Sequence, residues 1–112
     1  MIELPKSQKK IARELIQLGL ERECKSFTNK IAEFTNSAEW ETTGSHELYL
    51  NLYRKVISFD KHIGKRYNDL TGSQYVIKIL GLFFDGILTT DDIARFDVNV
   101  QNELMTLKSL LS

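Results

Sequence analysis

The spacing of apolar residues between positions 45 and 70 constrains the fold of this chain more than any other feature. Large apolar residues return there at steps of four, four, three, four, four and three: Leu48, Leu52, Val56, Phe59, Ile63, Tyr67 and Leu70. These steps follow the 3.6-residue turn of an α-helix, so the side chains share one face. We expect a helix that Ser45 caps and that buries this face against its neighbours.

The first third of the chain carries a second helical pattern. Ser7 is a suitable N-cap, and apolar residues keep the helical spacing from Ile11 to Phe34. Gly19 interrupts the pattern, and a glycine inside a helix costs about 1 kcal/mol relative to alanine. The sequence therefore allows either one long helix over 8–36, bent at Gly19, or two shorter helices.

The segment 75–88 is apolar on nearly every side, as expected for a helix surrounded by other helices. Gly72 is suited to end the preceding helix in the left-handed conformation, and Ser73 is suited to cap the helix that follows. The polar stretch 36–45 predicts a surface loop, from which Trp40 is expected to fold back onto the bundle.

Two further helices are predicted near the end of the chain. Thr89 or Thr90 caps a short helix with acids in its first turn, and Asp97 caps the last helix. No segment of useful length alternates apolar and polar residues, so no strand is expected.

A chain of 112 residues is long enough for one hydrophobic core and too short for two. We therefore expect a single all-α domain over residues 1–112. The expected architecture is a bundle of four to six helices with the apolar helix at about 75–88 in its centre.

Charge and cysteine content narrow the classes of partner and compartment. Fifteen Lys and Arg residues balance fifteen Asp and Glu residues, so no long-range field attracts nucleic acid or an anionic membrane. The single Cys24 cannot form an internal disulfide, and the N-terminal residues lack the apolar run of a secretory signal. The segment 75–88 is shorter than the about 20 apolar residues that a bilayer requires. We expect a cytoplasmic protein that does not enter the membrane.

The stretch FFDGILTTDDI resembles half of a calcium loop but does not satisfy its chemistry. If Gly86 took position six of an EF-hand and Asp92 position twelve, Gly81 and Phe83 would stand where oxygen ligands are required. A capped turn between two helices is the better interpretation.

Metal, cofactor and catalytic chemistry find no other support in the sequence. His46 and His62 are about 24 Å apart along one helix, too far to share an ion, and Cys24 is expected to be a small core residue. No nucleophile lies beside a base, and no glycine-rich phosphate loop follows a strand. We expect no metal, no cofactor and no catalytic residue, and a protein that is not an enzyme.

Two weaker hypotheses concern anions. Arg54, Lys61 and Lys65 form a basic stripe on one helix and predict, as an alternative function, a regulator associated with nucleic acid. A helix-turn-helix near the C-terminus is disfavoured because its reading helix, 98–111, has Lys108 as its only cation.

The second anion hypothesis places a phosphate or carboxylate at the start of the 75–88 helix. Arg66, Gly72 and Ser73 would hold it, and the protein would then be a small-ligand or anion-binding protein. A pair of helix caps explains the same turn without any ligand.

The leading functional hypothesis comes from Tyr49, Tyr53 and Ile57. They widen the apolar face of the 45–70 helix to one side, beyond what one neighbouring helix covers. Tyrosine is common in protein interfaces because it combines apolar area with a hydrogen-bonding tip. We therefore expect a protein interaction module that binds itself, as a homodimer, or another protein. The alternative is that the N-terminal helix covers this flank within the monomer.

Overall fold

The computed structural model describes residues 3–37 and 41–112. In these ranges the chain forms five α-helices and one 3-10 turn, Gly72–Gln74, and contains no strand. The helices are α1 Lys6–Thr35, α2 Ser45–Tyr67, α3 Tyr75–Phe84, α4 Thr90–Ile93 and α5 Val98–Leu111. The all-α prediction is confirmed. Trp40, which was expected to fold back onto the bundle, lies outside the described residues.

The N-terminal pattern forms one continuous helix, α1, rather than two. Pro5 occupies the N-cap position and Ser7 lies inside the helix, so the prediction of a Ser7 cap was wrong. Proline's fixed φ and missing N–H suit it to the start of a helix. Gly19 lies where α1 meets α3, and a Cβ atom there would be 3.0 Å from Leu82 Cδ1. The glycine therefore permits a close approach between the two helices.

Helix α3 occupies the centre of the bundle, as predicted. It packs against α1 on one side and α5 on the other, while α1 also packs against α2. All the buried apolar side chains of the described residues except Leu48 form one cluster, contributed mainly by α1, α3 and the residues that follow: Leu4, Ala12, Leu15, Ile16, Tyr75, Val76, Ile79, Leu80, Leu82, Phe83, Leu88, Ile93, Phe96, Val100 and Leu104.

The central helix is shorter than the expected 75–88 because it ends at Phe84. Gly86 adopts a left-handed φ of 76°, which reverses the chain at little steric cost. The amides of Ile87 and Leu88 both donate to the carbonyl oxygen of Leu82, at 2.9 and 3.1 Å. These bonds satisfy the end of α3 and return Leu88 to the core.

The turn between α2 and α3 differs from the prediction. The left-handed residue is Asp69, with φ of 49°, whereas Gly72 belongs to the 3-10 turn. The helix that follows has no side-chain cap, and Gly44 rather than Ser45 precedes α2. The predicted roles of Gly72, Ser73 and Ser45 as caps were therefore wrong.

The predicted caps near the C-terminus are confirmed. Thr89 and Asp92 form a reciprocal capping box at the start of α4. Asp97 caps α5 by accepting a hydrogen bond from the Val100 amide at 2.9 Å. The Asp97 amide in turn donates to Gln8 Oε1 at 2.8 Å, which ties the start of α5 to the start of α1.

The molecule is elongated, measuring 55 × 24 × 23 Å, and its core lies towards one end. Beyond Glu23, α1 buries no residue, and α2 buries only Leu48 over its whole length. We call the paired segments 24–35 of α1 and 45–61 of α2 the arm. No helix in the described ranges has both the length and the apolar character needed to cross a bilayer.

Candidate functional site

The arm is held together by a thin seam between two antiparallel helices. The rings of Phe27 and Phe59 stack with centroids 4.1 Å apart and planes 5° from parallel. Towards the tip of the arm, Lys55 Nζ lies 5.0 Å from the centre of the Phe34 ring, within reach of a cation–π contact. Among the described helices, α1 and α2 pack mainly against each other here, so both flanks of the seam face outwards.

One flank carries the predicted interaction residues. Tyr49 is 58% exposed, Tyr53 55% and Ile57 37%, so α1 leaves these side chains uncovered. Val56, which was expected to be buried in the seam, is 43% exposed and extends the same surface. His46 stacks on Tyr49 at a centroid distance of 6.5 Å. We call Tyr49, Tyr53, Val56 and Ile57 the aromatic flank.

The opposite flank of the seam contains a groove. A cavity of about 530 Å³ lies between α1 and α2, and a smaller one of about 250 Å³ continues it towards the core. The two share Phe27, Lys30, Phe59 and His62, so they form one channel along the arm, which we call the arm groove. Its floor is aromatic, and its rim carries cations from both helices.

The basic stripe lies partly on this groove. Arg54, Lys61 and Lys65 are all exposed on α2, and Arg54 lines the groove while donating to Asn51 Oδ1 at 3.3 Å. The structure thus leaves the three cations open to solvent. Binding of nucleic acid by them stays a prediction.

A buried carboxylate closes the inner end of the groove. Glu23 is only 8% exposed, and its Oε2 accepts a hydrogen bond from the Tyr67 hydroxyl at 2.7 Å. Its Oε1 lies 3.0 Å from His62 Nε2 and 3.4 Å from Arg66 Nη1. Arg66 also pairs with Asp85, just past the end of α3. We call these five residues the Glu23 cluster.

The electrostatics of the cluster favour a neutral Tyr67 next to the carboxylate. Burial raises the pKa of Tyr67 above its ordinary value, and the hydrogen bond to Glu23 and the charge of that carboxylate raise it further. A buried carboxylate requires hydrogen bonds or opposite charge around it. Here the Tyr67 hydroxyl and His62 hydrogen-bond to Glu23, and Arg66 forms an ion pair with it. The cluster therefore fastens the C-terminal end of α2 to the middle of α1.

The sequence analysis missed the Glu23 cluster because its hydrogen-bonding partners are far away in the chain, 39 residues on for His62 and 44 for Tyr67. One signal was nevertheless available. Glu23 continues the helical stripe of Ile16 and Gly19, where an apolar residue is expected. An acid in such a stripe indicates a buried polar contact that a distant segment must supply. Cys24, predicted to be buried, is partly exposed.

The residues of the predicted anion site have other contacts. Arg66 is engaged by the two carboxylates of the Glu23 cluster, and Ser73 Oγ lies 3.1 Å from Thr71 Oγ1. Gly72 packs against the Lys9 side chain, whose Nζ would be 3.1 Å from an added Cβ. Anion binding by Arg66, Gly72 and Ser73 stays a prediction.

A second apolar surface lies at the other end of the molecule. Ile77, Leu80, Gly81, Phe84 and Leu111 line a shallow cavity of about 390 Å³ between α3 and α5. Unlike the arm groove, this cavity has no charged lining residue within the described ranges.

Comparison of the chain with protein-family models, with curated proteins and with solved structures finds no match. In the described ranges no group of three or more His, Cys, Asp or Glu residues is placed to hold a metal ion.

Proposed function

We propose that this protein is a non-enzymatic interaction module that forms a homodimer through the aromatic flank of α2. One observation supports the proposal: among the described helices, the one with the most regular apolar spacing in the sequence packs mainly against α1, and its Tyr49 and Tyr53 remain more than half exposed. Clusters of exposed apolar and aromatic side chains are typical of protein interfaces. A second copy supplies the helices that the arm lacks.

The arm supplies a large part of such an interface. Its α2 segment, 45–61, is about 25 Å long. A face two helices wide, at about 10 Å for each helix, offers about 500 Å². Stable complexes bury about 800 Å² on each partner, so two arms packed side by side provide more than half of that area. The result is an antiparallel or parallel four-helix arrangement with the aromatic flanks in its centre.

The oligomeric state tests this proposal. Light scattering coupled to size exclusion should give twice the mass of one chain for the wild type and the monomer mass for Tyr53→Glu, because a charge on the aromatic flank would be desolvated in the dimer. Ile77→Glu is the matched control, since it places the same charge on the other exposed apolar surface. It should leave the dimer intact.

Circular dichroism of both variants shows whether the helices are retained. A wild-type monomer at high micromolar concentration contradicts self-association. A dimer that Ile77→Glu dissociates and Tyr53→Glu does not would place the interface between α3 and α5 instead. If the wild type is a monomer, the homodimer is wrong and the remaining proposal is that the aromatic flank binds a different protein.

The proposal includes a cytoplasmic location. The single thiol of Cys24 is unpaired within the chain, and stable extracellular domains of this size commonly rely on disulfides. Fractionation of the native host, with detection of the untagged protein, tests the location.

A further inference from the structure

The arm groove combines an apolar floor with a cationic rim. Phe27 and Phe59 form the stacked floor, while Lys30 on one helix and Lys55 on the other stand at opposite edges with Arg54. Among the described residues, no carboxylate lines the larger of its two cavities. The ion pairs between described residues include none of these three cations, so no described carboxylate neutralises them.

The carboxylate of Glu23, at the inner end of the groove, does not repel an anionic ligand. Glu23 is surrounded by His62, Arg66 and Tyr67, each of which contacts one of its carboxylate oxygens. The potential along the groove is therefore set by the rim.

The shape of the groove matches an α-helix. Its lining residues on α1 run from Glu23 to Phe34, which is about 17 Å or three helical turns. Two antiparallel helices that pack along one seam leave a furrow on each side, and a third helix fits such a furrow at an axial distance of about 8–10 Å. Amphipathic helices commonly bind in grooves of this kind through apolar residues spaced three and four positions apart.

From this charge complementarity and shape we propose that the arm groove binds an acidic amphipathic helix of a partner protein. The apolar ridge of that helix covers the Phe27 and Phe59 rings, and its flanking Asp and Glu side chains pair with Lys30, Arg54 and Lys55. The site does not depend on the proposed homodimer. Ser58 in the groove and Tyr53 on the aromatic flank are five positions apart, which places them about 140° from each other around α2.

A designed peptide tests the proposal. The probe is a fluorescent helix of about 20 residues, with Leu at spacings of three and four and Glu on both sides of the Leu ridge. We expect saturable binding in fluorescence anisotropy, and at least a tenfold weaker affinity for the double variant Lys30→Glu and Lys55→Glu. Reversed charges facing the acidic flanks of the peptide replace attraction by repulsion.

The matched control is the double variant Lys61→Glu and Lys65→Glu. It changes the net charge by the same amount with two substitutions on α2, but neither lysine lines the groove. Its affinity for the peptide should fall less than twofold at physiological salt, where the Debye length is about 8 Å. Ser58→Trp provides a second test, because it fills the groove without altering its charge and should also abolish binding. Circular dichroism confirms that each variant is folded.

The outcomes separate this proposal from the homodimer. Tyr53→Glu should still bind the peptide whether or not it dissociates a dimer. No saturable binding to the wild type, or equal losses in the two double-lysine variants, would overturn the groove proposal. Dodecanoate is the alternative probe: if it binds and is blocked by Ser58→Trp while the peptide does not bind, the groove takes a small anionic amphiphile and the proposed protein helix is wrong.

Discussion

Asp92 connects the short helix α4 to α1, and its replacement by asparagine should destabilise the protein in a pH-dependent way. Its Oδ2 accepts hydrogen bonds from the Thr89 amide at 2.7 Å and from the Thr89 hydroxyl at 3.0 Å. Arg22 Nη1 donates to the same oxygen at 2.7 Å and to the Ile87 carbonyl at 2.9 Å. One carboxylate therefore caps α4 and anchors the arginine that reaches across from α1.

The magnitude follows from the pKa of Asp92. The hydrogen bond from Arg22 is the largest cause that lowers this pKa, and together with the Thr89 bonds it brings the value from 3.8 to about 2. At about 1.4 kcal/mol for each pH unit, this difference corresponds to about 2.5 kcal/mol. Because the Arg22 side chain is 40% exposed, solvent screens the pair, and we expect about 1 kcal/mol.

The sign of the pH dependence is fixed by the direction of this shift. A carboxylate with a lowered folded-state pKa adds stability above its unfolded pKa, near 3.8, and loses that contribution as the pH falls towards 2. Urea unfolding of the wild type and Asp92→Asn should therefore differ by about 1 kcal/mol at neutral pH. The difference should shrink between pH 4 and 2.

Asp91→Asn is the control for this experiment. It removes a charge from the same first turn of α4, but Asp91 is exposed and should change stability by less than about 0.5 kcal/mol. Other carboxylates titrate in all three proteins and cancel in the differences. A gap between wild type and Asp92→Asn that stays constant from pH 6 to 2, or an equal gap for Asp91→Asn, would refute the assignment.

Three further predictions concern the stability of the folded protein and are measured by urea or thermal unfolding. Gly19→Ala should destabilise the protein by about 1 kcal/mol, because overpacking against the buried Leu82 outweighs the gain in helix propensity. A variant more stable than the wild type would show that the Leu82 side chain moves aside. Gly86→Ala should cost about 1 kcal/mol because its φ is 76°, whereas Gly44→Ala, with φ of −59° and open space around it, should be nearly neutral. The pKa of Tyr67 is raised, so the folded state favours the neutral hydroxyl and the stability of the protein should fall as the pH rises above about 10. Tyr67→Phe should lose less stability over the same alkaline range. Parallel stability curves for the two proteins would contradict this.

The sequence predicted the helices well because their formation depends on local spacing and capping. The helix α2 and the caps at Thr89 and Asp97 depend on single segments, and each appears in the structure. The predicted extent and burial of the α2 repeat were wrong, because the helix ends at Tyr67, Leu70 is exposed, and Leu48 is the one buried residue of the repeat. The sequence predicted that α3 ends at residue 88 rather than at Phe84, because Ile87 and Leu88 are apolar and continue the apolar pattern of the helix. Their burial is compatible with a turn as well as with a helix.

The candidate site was less predictable because it depends on which surfaces meet. Periodicity showed that α2 has an apolar face and placed Val56 in it, but it could not show that the neighbouring helices would leave Val56 exposed. The Glu23 cluster and the arm groove join residues of α1 and α2, which are separated in the chain by the segment 36–44. Pairing two helices in one register brings such residues together, and spacing within either helix does not specify that register.

The thin burial of the arm has a consequence for communication between its two sides. A pair of helices with few buried contacts opens locally at lower free energy than the core, so its amide hydrogens should exchange first. A ligand on either flank raises the protection of both helices, and the second ligand then meets a segment that is already ordered. If both proposed sites bind, occupancy of one side should strengthen binding on the other without any change in the average structure, and deuterium uptake along α2 would report this coupling.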